Sequence, residues 1–271
     1  MPNAHKAKTI SARKMALVCV LACVSISILL STSCRKTVPY SHPLTDYFQP
    51  LQVGKYVTYR LDSSSFYFYG QLDTLTSYLA KDSVEQKFTD NAGQTAWRIT
   101  RYLTDTNATA PWTPVQTIIV NPSLTRIEVS EENLRFIKLI FPVVQGSTWQ
   151  GNGYLGYDPY QDFFDFSADI NENMNGWTYS YQAVDQPFSI ANQHYDSAVT
   201  VLQVDDSANV PIILKDSMFA SRTYWSETYA KHIGMVYRHT EIWEYQPPTP
   251  DGAQSAYKIG FKLTMRMIDH N

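Results

Sequence analysis

The chain has 271 residues, of which 44% are hydrophobic, 14% aromatic and 17% charged, a make-up that can bury a sizeable core and excludes a disordered or low-complexity chain. Nineteen Tyr, twelve Phe and six Trp against eleven Gly point to strands rather than a helical bundle. A formal charge of −3 excludes a nucleic-acid binder driven by a basic surface.

In chain order, the first feature is an address. Lys6, Lys8, Arg13 and Lys14 precede an uncharged run over 15–33 that ends at Cys34, with Arg35 and Lys36 directly after it; this is the layout of a signal peptide over 1–33. The apolar centre over 15–30 lies near the lower limit of about 17 residues for crossing a bilayer, so a spanning anchor is a second reading and a simply cleaved signal a third. Leu30-Ser31-Thr32-Ser33-Cys34 resembles the lipobox of bacterial lipoproteins, in which the cysteine is acylated and becomes the new N-terminus. The resemblance implies lipidation at Cys34 and membrane attachment through acyl chains, each buried methylene contributing about 0.8 kcal/mol. Cys23 is a rival position with too short an apolar region before it. Cys19, Cys23 and Cys34 are all the cysteines there are, so the chain beyond the signal has neither a disulfide nor a cysteine metal site. Without 1–33, 18 Lys and Arg face 25 Asp and Glu, a charge of −7, which argues against binding anionic lipid or nucleic acid through the body of the protein.

Pro39, Pro43 and Pro50 among Ser, Thr and Tyr make 34–50 read as an extended tether, with a single β-rich domain over 51–271. Val57, Tyr59 and Leu61 alternate with Tyr56, Thr58 and Arg60, the period of a strand. Residues 94–104 repeat the alternation after the turn Asp90-Asn91-Ala92-Gly93 and read as a hairpin with 78–89. Strands follow at 114–120, 126–130 and 134–141, the last two joined by Glu131-Glu132-Asn133. From 142 to 176 Pro and Gly recur, marking a long functional loop or a short helix. Further strands are expected at 177–185, 195–205, 211–219, 221–230, 234–245 and 257–268. The pattern predicts an all-β, mainly antiparallel barrel, half-barrel or sandwich of about ten short strands with one long irregular insertion.

Three stretches look familiar together: Leu51-Gln52-Val53-Gly54-Lys55-Tyr56-Val57 with the strand that follows, Phe141-Pro142 with Gly146, Trp149 and Gly151-Asn152, and Tyr229-Ala230-Lys231-His232-Ile233-Gly234-Met235-Val236-Tyr237. They resemble a family of cell-envelope lipoproteins of the Bacteroidota that has no assigned activity. The late motif reads as a hairpin that brings Tyr229 and Tyr237 near each other, with Gly234 free to take a positive φ; His232 stands where such proteins more often have Gly.

Candidate sites are few. Asp165, Asp169, Asn171 and Asn173 crowd oxygen ligands into the irregular stretch, and Asn171-x-Asn173-x-Asn175-Gly176 imitates half of a calcium loop, but it ends in Gln182 and relies on neutral amides that offset a divalent charge poorly. A solvated acidic loop is the better reading, so no metal and no cofactor is expected. His232 and His239, seven apart across the expected hairpin turn, lack zinc-ligand spacing. Tyr154, Tyr157, Tyr160 and Phe163 form a candidate ligand platform for stacking on a sugar or another apolar face, weighed against ordinary sheet packing. Asp followed by Ser or Thr and an apolar residue recurs and resembles the O-glycosylation sequon of the same bacterial group, with Thr74, Ser83, Ser197, Ser207 and Ser217 as acceptors; Asp-Ser also starts turns and strands well. No nucleophile elbow or phosphate loop occurs, and the chain reads as a non-enzyme.

The sequence therefore points to a lipoprotein of the bacterial envelope, held by its acyl anchor to the outer membrane, acting as a binding or structural component toward glycan, apolar ligand or other envelope proteins. The competing readings are a lipid or apolar-ligand carrier with a half-open barrel, which needs a large apolar cavity, and a hydrolase, which needs a Ser or Asp beside a His in a cleft.

Overall fold

The computed structural model describes residues 46–67, 72–164, 166, 173–209 and 218–271. Cys34, the signal segment and most of the expected strand over 211–219 lie outside these. Twelve strands occur among the described residues: β1 (Tyr56–Tyr67), β2 (Leu72–Thr89), β3 (Thr95–Thr104), β4 (Thr113–Pro122), β5 (Arg126–Glu131), β6 (Leu134–Ile140), β7 (Thr148–Gln150), β8 (Thr178–Ile190), β9 (Gln193–Ala208), β10 (Ala220–Ala230), β11 (Gly234–Gln246) and β12 (Tyr257–His270). All belong to one antiparallel sheet whose edges are β6 and β7, because the first and last strands pair with each other. The sheet curls into a nearly closed barrel with one unsealed seam. Of the three expected architectures, the barrel is the one formed. Met218 and Phe219 carry no strand, and β9 pairs directly with β10. Among its described residues the irregular stretch holds the short β7 and the 3-10 turn Met174–Gly176.

The alternation of β1 is realised: Val57, Tyr59 and Leu61 are buried in the core, while Tyr56 and Arg60 are only partly covered. Thr58 is buried too, at a shift of register against β12. A twelve-stranded barrel has a wider interior than the roughly eight-stranded kind that ordinary side chains fill, and large side chains occupy the difference. Tyr59, Tyr179, Tyr181, Tyr195 and Tyr229 all belong to the main core. Each such ring removes roughly 150–250 Å² from water, on the order of 4–6 kcal/mol of transfer free energy before ordering costs.

Side chains pack toward both ends of the lumen. At the end carrying the β10–β11 turn, described residues of the stretch read as a tether are packed: Asp46, Tyr47, Phe48 and Gln49 are buried. Phe48 stacks on Tyr229 at 6.3 Å, and the Gln49 amide donates to the Asp82 carbonyl at 3.2 Å. Gly234 permits this approach. It sits at φ +108°, and a Cβ there would lie 2.6 Å from the Gln49 backbone nitrogen. His232 takes the left-handed φ of +66°, the conformation glycine would supply. In the ladder Tyr237 pairs with Thr228 and Tyr229 with Met235, so the two tyrosines are offset neighbours: Tyr229 is buried beside Phe48, and Tyr237 rests against Phe188. Toward the opposite end, Leu155 and Met174 from the segment after β7 pack with Phe136 and Trp225, and Tyr160 packs against them.

The seam is where the middle motif proves structural. The Ile137 amide donates to the Gly151 carbonyl at 2.8 Å, the Trp149 indole donates to the Ile137 carbonyl at 2.8 Å, and the Tyr181 hydroxyl donates to the Ile140 carbonyl at 2.7 Å while accepting from the Ile140 amide at 2.9 Å. Gly151 is required because a Cβ would meet the Tyr179 ring at 2.3 Å. These contacts occupy polar groups that an edge strand would otherwise leave open for pairing.

Candidate functional site

A layer of paired charges crosses the middle of the lumen. Register puts Glu227 of β10 opposite Arg238 of β11, and Arg101 of β3 opposite Asp82 of β2 and Gln116 of β4. On β6 the partners of Ile127 and Glu128 are Leu139 and Ile137, so Lys138 is the extra residue of a β-bulge, the device that re-aims a side chain. Its ammonium lies 2.9 Å from Glu227 and 3.2 Å from Glu131. Arg238 reaches Glu227 at 2.8 Å and Glu131 at 3.2 Å, and Arg101 grips Asp82 with two bonds of 2.7 Å. The Tyr229 hydroxyl donates to Glu227.

The electrostatics follow from this matching. Burial by itself would raise the Glu131 carboxyl, but Arg238, Lys138 and Arg101 hold it well below the usual carboxylate range. Glu227 is likewise pulled down against burial by Lys138 and Arg238, and the Arg238 guanidinium is held up, against burial, by Glu131 and Glu227. Glu131, Glu227 and Arg238 thus favour their charged forms because each faces opposite charge. Such a layer contributes little net stability when intact, because desolvation offsets attraction, and costs much when one partner is lost.

A cavity lies on each side of the layer. The one toward the stoppered Phe48 end measures about 50 Å³ and includes Ile99, Ile118 and Met235 in its wall. The one on the other side measures about 100 Å³; Arg101, Glu131, Lys138, Glu227 and Arg238 form its floor, and Phe136, Tyr160, Trp225 and Phe261 its aromatic wall. Tyr160 packs edge-on to Phe261 at 6.1 Å and tilted against Trp225 at 6.4 Å, so the segment after β7 roofs this cavity. The Trp225 indole N–H and the Arg238 Nε–H, both buried, have no hydrogen-bond partner among the described residues.

The expected platform is therefore split. Tyr160 alone lines the cavity. Tyr154 lies on the outer wall, where its hydroxyl accepts from Arg126 at 2.9 Å and donates to Glu128 at 3.1 Å, with Arg135 4.8 Å over its ring; Tyr157 and Phe163 are exposed. The ionic floor escaped sequence reasoning because its members are scattered from 82 to 238; the legible signal was inward parity, which Asp82 shares with Ala80 and Val84 on β2.

Of the calcium candidates, Asp165, Asp169 and Asn171 lie outside the described residues, and Asn173 stands at the start of the 3-10 turn with φ +74°. No cluster of three or more His, Cys, Asp or Glu suited to a metal occurs among the described residues. His232 lies in its turn 3.9 Å from Asp46, whereas His239 sits along β11 with Thr264 at 3.1 Å, so their spacing does not bring them together. Thr74 is exposed on β2; Ser83 on β2 and Ser197 and Ser207 on β9 are partly covered, and Ser197 donates to Asp185 at 2.9 Å; Ser217 lies outside the described residues. One chain of groups has the look of a catalytic relay: Ser189 Oγ lies 2.8 Å from His194 Nδ1, and His194 Nε2 lies 3.3 Å from Asp196. It stands on the β8–β9 tip with the Asp196 side chain 99% exposed, without the water-excluding walls that make such a relay effective.

No protein-family model matches the chain, and no curated protein matches it. Among solved structures it is similar to a Bacteroides fragilis protein described as exported, with a YmcC-like fold, at 10% identity and a TM-score of 0.32, over 83% of this chain and 100% of that one.

Proposed function

We propose that this protein is a lipid-anchored component of the bacterial envelope whose barrel is a filled, rigid scaffold for binding or structural work. The observation that carries the reading is the filling of the lumen among the described residues: paired charges cross it, tyrosines pack it, and the two cavities beside the charge layer measure about 100 and 50 Å³. A carrier sheltering an acyl chain needs a mostly apolar space of roughly 300 Å³ or more, so the carrier reading is the weaker one. The basic start, the apolar run and Cys34 support export and anchoring. The exposed Ser189 relay does not favour a hydrolase over this reading.

Three measurements on protein from its native host test it. Intact mass should show a chain starting at Cys34 with added acyl mass, and Cys34→Ser should release the protein from the membrane fraction; retention of that variant would overturn the anchor. The same mass spectrum reports glycosylation at Thr74, Ser83, Ser197, Ser207 or Ser217 as further added mass. Organic extraction should yield no stoichiometric non-covalent lipid, and one bound lipid per chain would favour the carrier.

A further inference from the structure

We infer that the roofed cavity above the ionic floor is a binding site for a small neutral group that carries hydrogen-bond acceptors, such as a carbonyl or hydroxyl. The inference deepens the reading of the barrel as a binding scaffold. Three observations select the ligand chemistry. The buried floor is already balanced, with Lys138 and Arg238 on Glu131 and Glu227, and Arg101 on Asp82, and the further carboxylate that lines the cavity, Glu132, is solvent-exposed; an anion or a cation would bury an unmatched charge, which is costly away from water. Two donors remain unanswered, the Trp225 indole N–H, on a residue only 7% exposed, and the Arg238 Nε–H. A wholly apolar ligand would leave both unpaired, at the full desolvation penalty of each. The aromatic wall of Tyr160, Phe261 and Phe136 then suits the carbon side of the same group.

Size limits the ligand as well. A space of about 100 Å³ lies below the roughly 150 Å³ that accommodates a benzene ring and far above the 10–15 Å³ needed for one water. It fits a group of a few heavy atoms, or the end of a longer molecule projecting under the roof.

The test uses the full-length protein and three probes of similar size: acetamide as the neutral acceptor, acetate as its anionic isostere and xenon as the apolar control. The Trp225 indole N–H resonance, one of six Trp signals and identified by its loss in Trp225→Phe, and the Arg238 Nε–H resonance are followed by NMR. Acetamide should move both to a plateau, and Trp225→Phe should weaken its binding about tenfold as read at Arg238, the worth of one hydrogen bond. Saturable shifts with acetate alone or xenon alone would overturn the ligand class. No saturable shift with any probe would mean a water-filled cavity and overturn the site, while the lipid-extraction and Cys34 results would still stand or fall separately.

Discussion

The barrel closes on itself in two places, and they differ in kind. Where β1 meets β12, nine residue pairs form the ladder, with one shift of register between Thr58 and Tyr59, so closure there is a backbone interaction along the strands. Where β6 approaches β7 and β8, closure rests on a few bonds from Trp149, Tyr181 and Gly151, with Lys138 reaching inward from the bulge to Glu227 on β10. The first is sequence-tolerant because main-chain groups make it. The second depends on particular side chains, and one of its strands, β6, supplies Lys138 to the ionic floor. A barrel whose chain ends are sealed together places its weakest line at the middle of the sequence, where side chains must do the closing.

This difference can be broken from the seam side first. Lys138→Met leaves Glu227 and Glu131 with one buried cation fewer and should cost about 3–5 kcal/mol in denaturant unfolding; a loss under about 1 kcal/mol would show that the floor does not couple β6 to β10. Acid is the next largest perturbation. Glu131 and Glu227 are held below 4.5 in the fold, so their contribution is complete above that value and is lost as pH falls through their native pKa values. Stability should drop by on the order of 2–3 kcal/mol on acidification below the usual carboxylate range, and by less in Lys138→Met, where the cation that lowers them is gone.

Tyr181→Phe removes the hydroxyl that serves both the amide and the carbonyl of Ile140 and should cost about 1–2 kcal/mol. Hydrogen exchange locates the effect: the Ile140 and Ile137 amides should exchange faster while Leu61 in β1 does not. The smallest effect belongs to the terminal closure. Asp62 sits on the partly exposed side of β1 between Arg60, at 2.9 Å, and Arg266 of β12. Asp62→Asn should change stability by less than about 1 kcal/mol, because the β1–β12 ladder persists without that ion pair; a larger loss would mean that this closure, too, is made by side chains.

Most strand positions were legible because alternation and turn chemistry are local. Val57, Tyr59 and Leu61 declared their face, and Asp90-Asn91-Ala92-Gly93 declared its turn. Tyr47 and Phe48 misled for an equally local reason: a Pro-flanked stretch carries no period, and only the space left in the lumen explains their burial. Trp149 and Gly151-Asn152 were visible as a motif, but their work became clear only with Ile137 and the Tyr179 ring beside them. The platform read from Tyr154 to Phe163 failed as a unit because consecutive aromatics in an irregular segment diverge, one to the cavity and one to the outer wall.

From the sequence alone come the basic and apolar start with its terminal cysteine, the all-β class, the excess of tyrosine and the order of the strands, since each depends on residues close together in the chain. Tertiary structure decided which strands became edges, how a twelve-stranded lumen is filled, and that Asp82, Arg101, Glu131, Lys138, Glu227 and Arg238 form one floor. Charges scattered over six strands have no common period, and only closure of the sheet brings them within bonding distance.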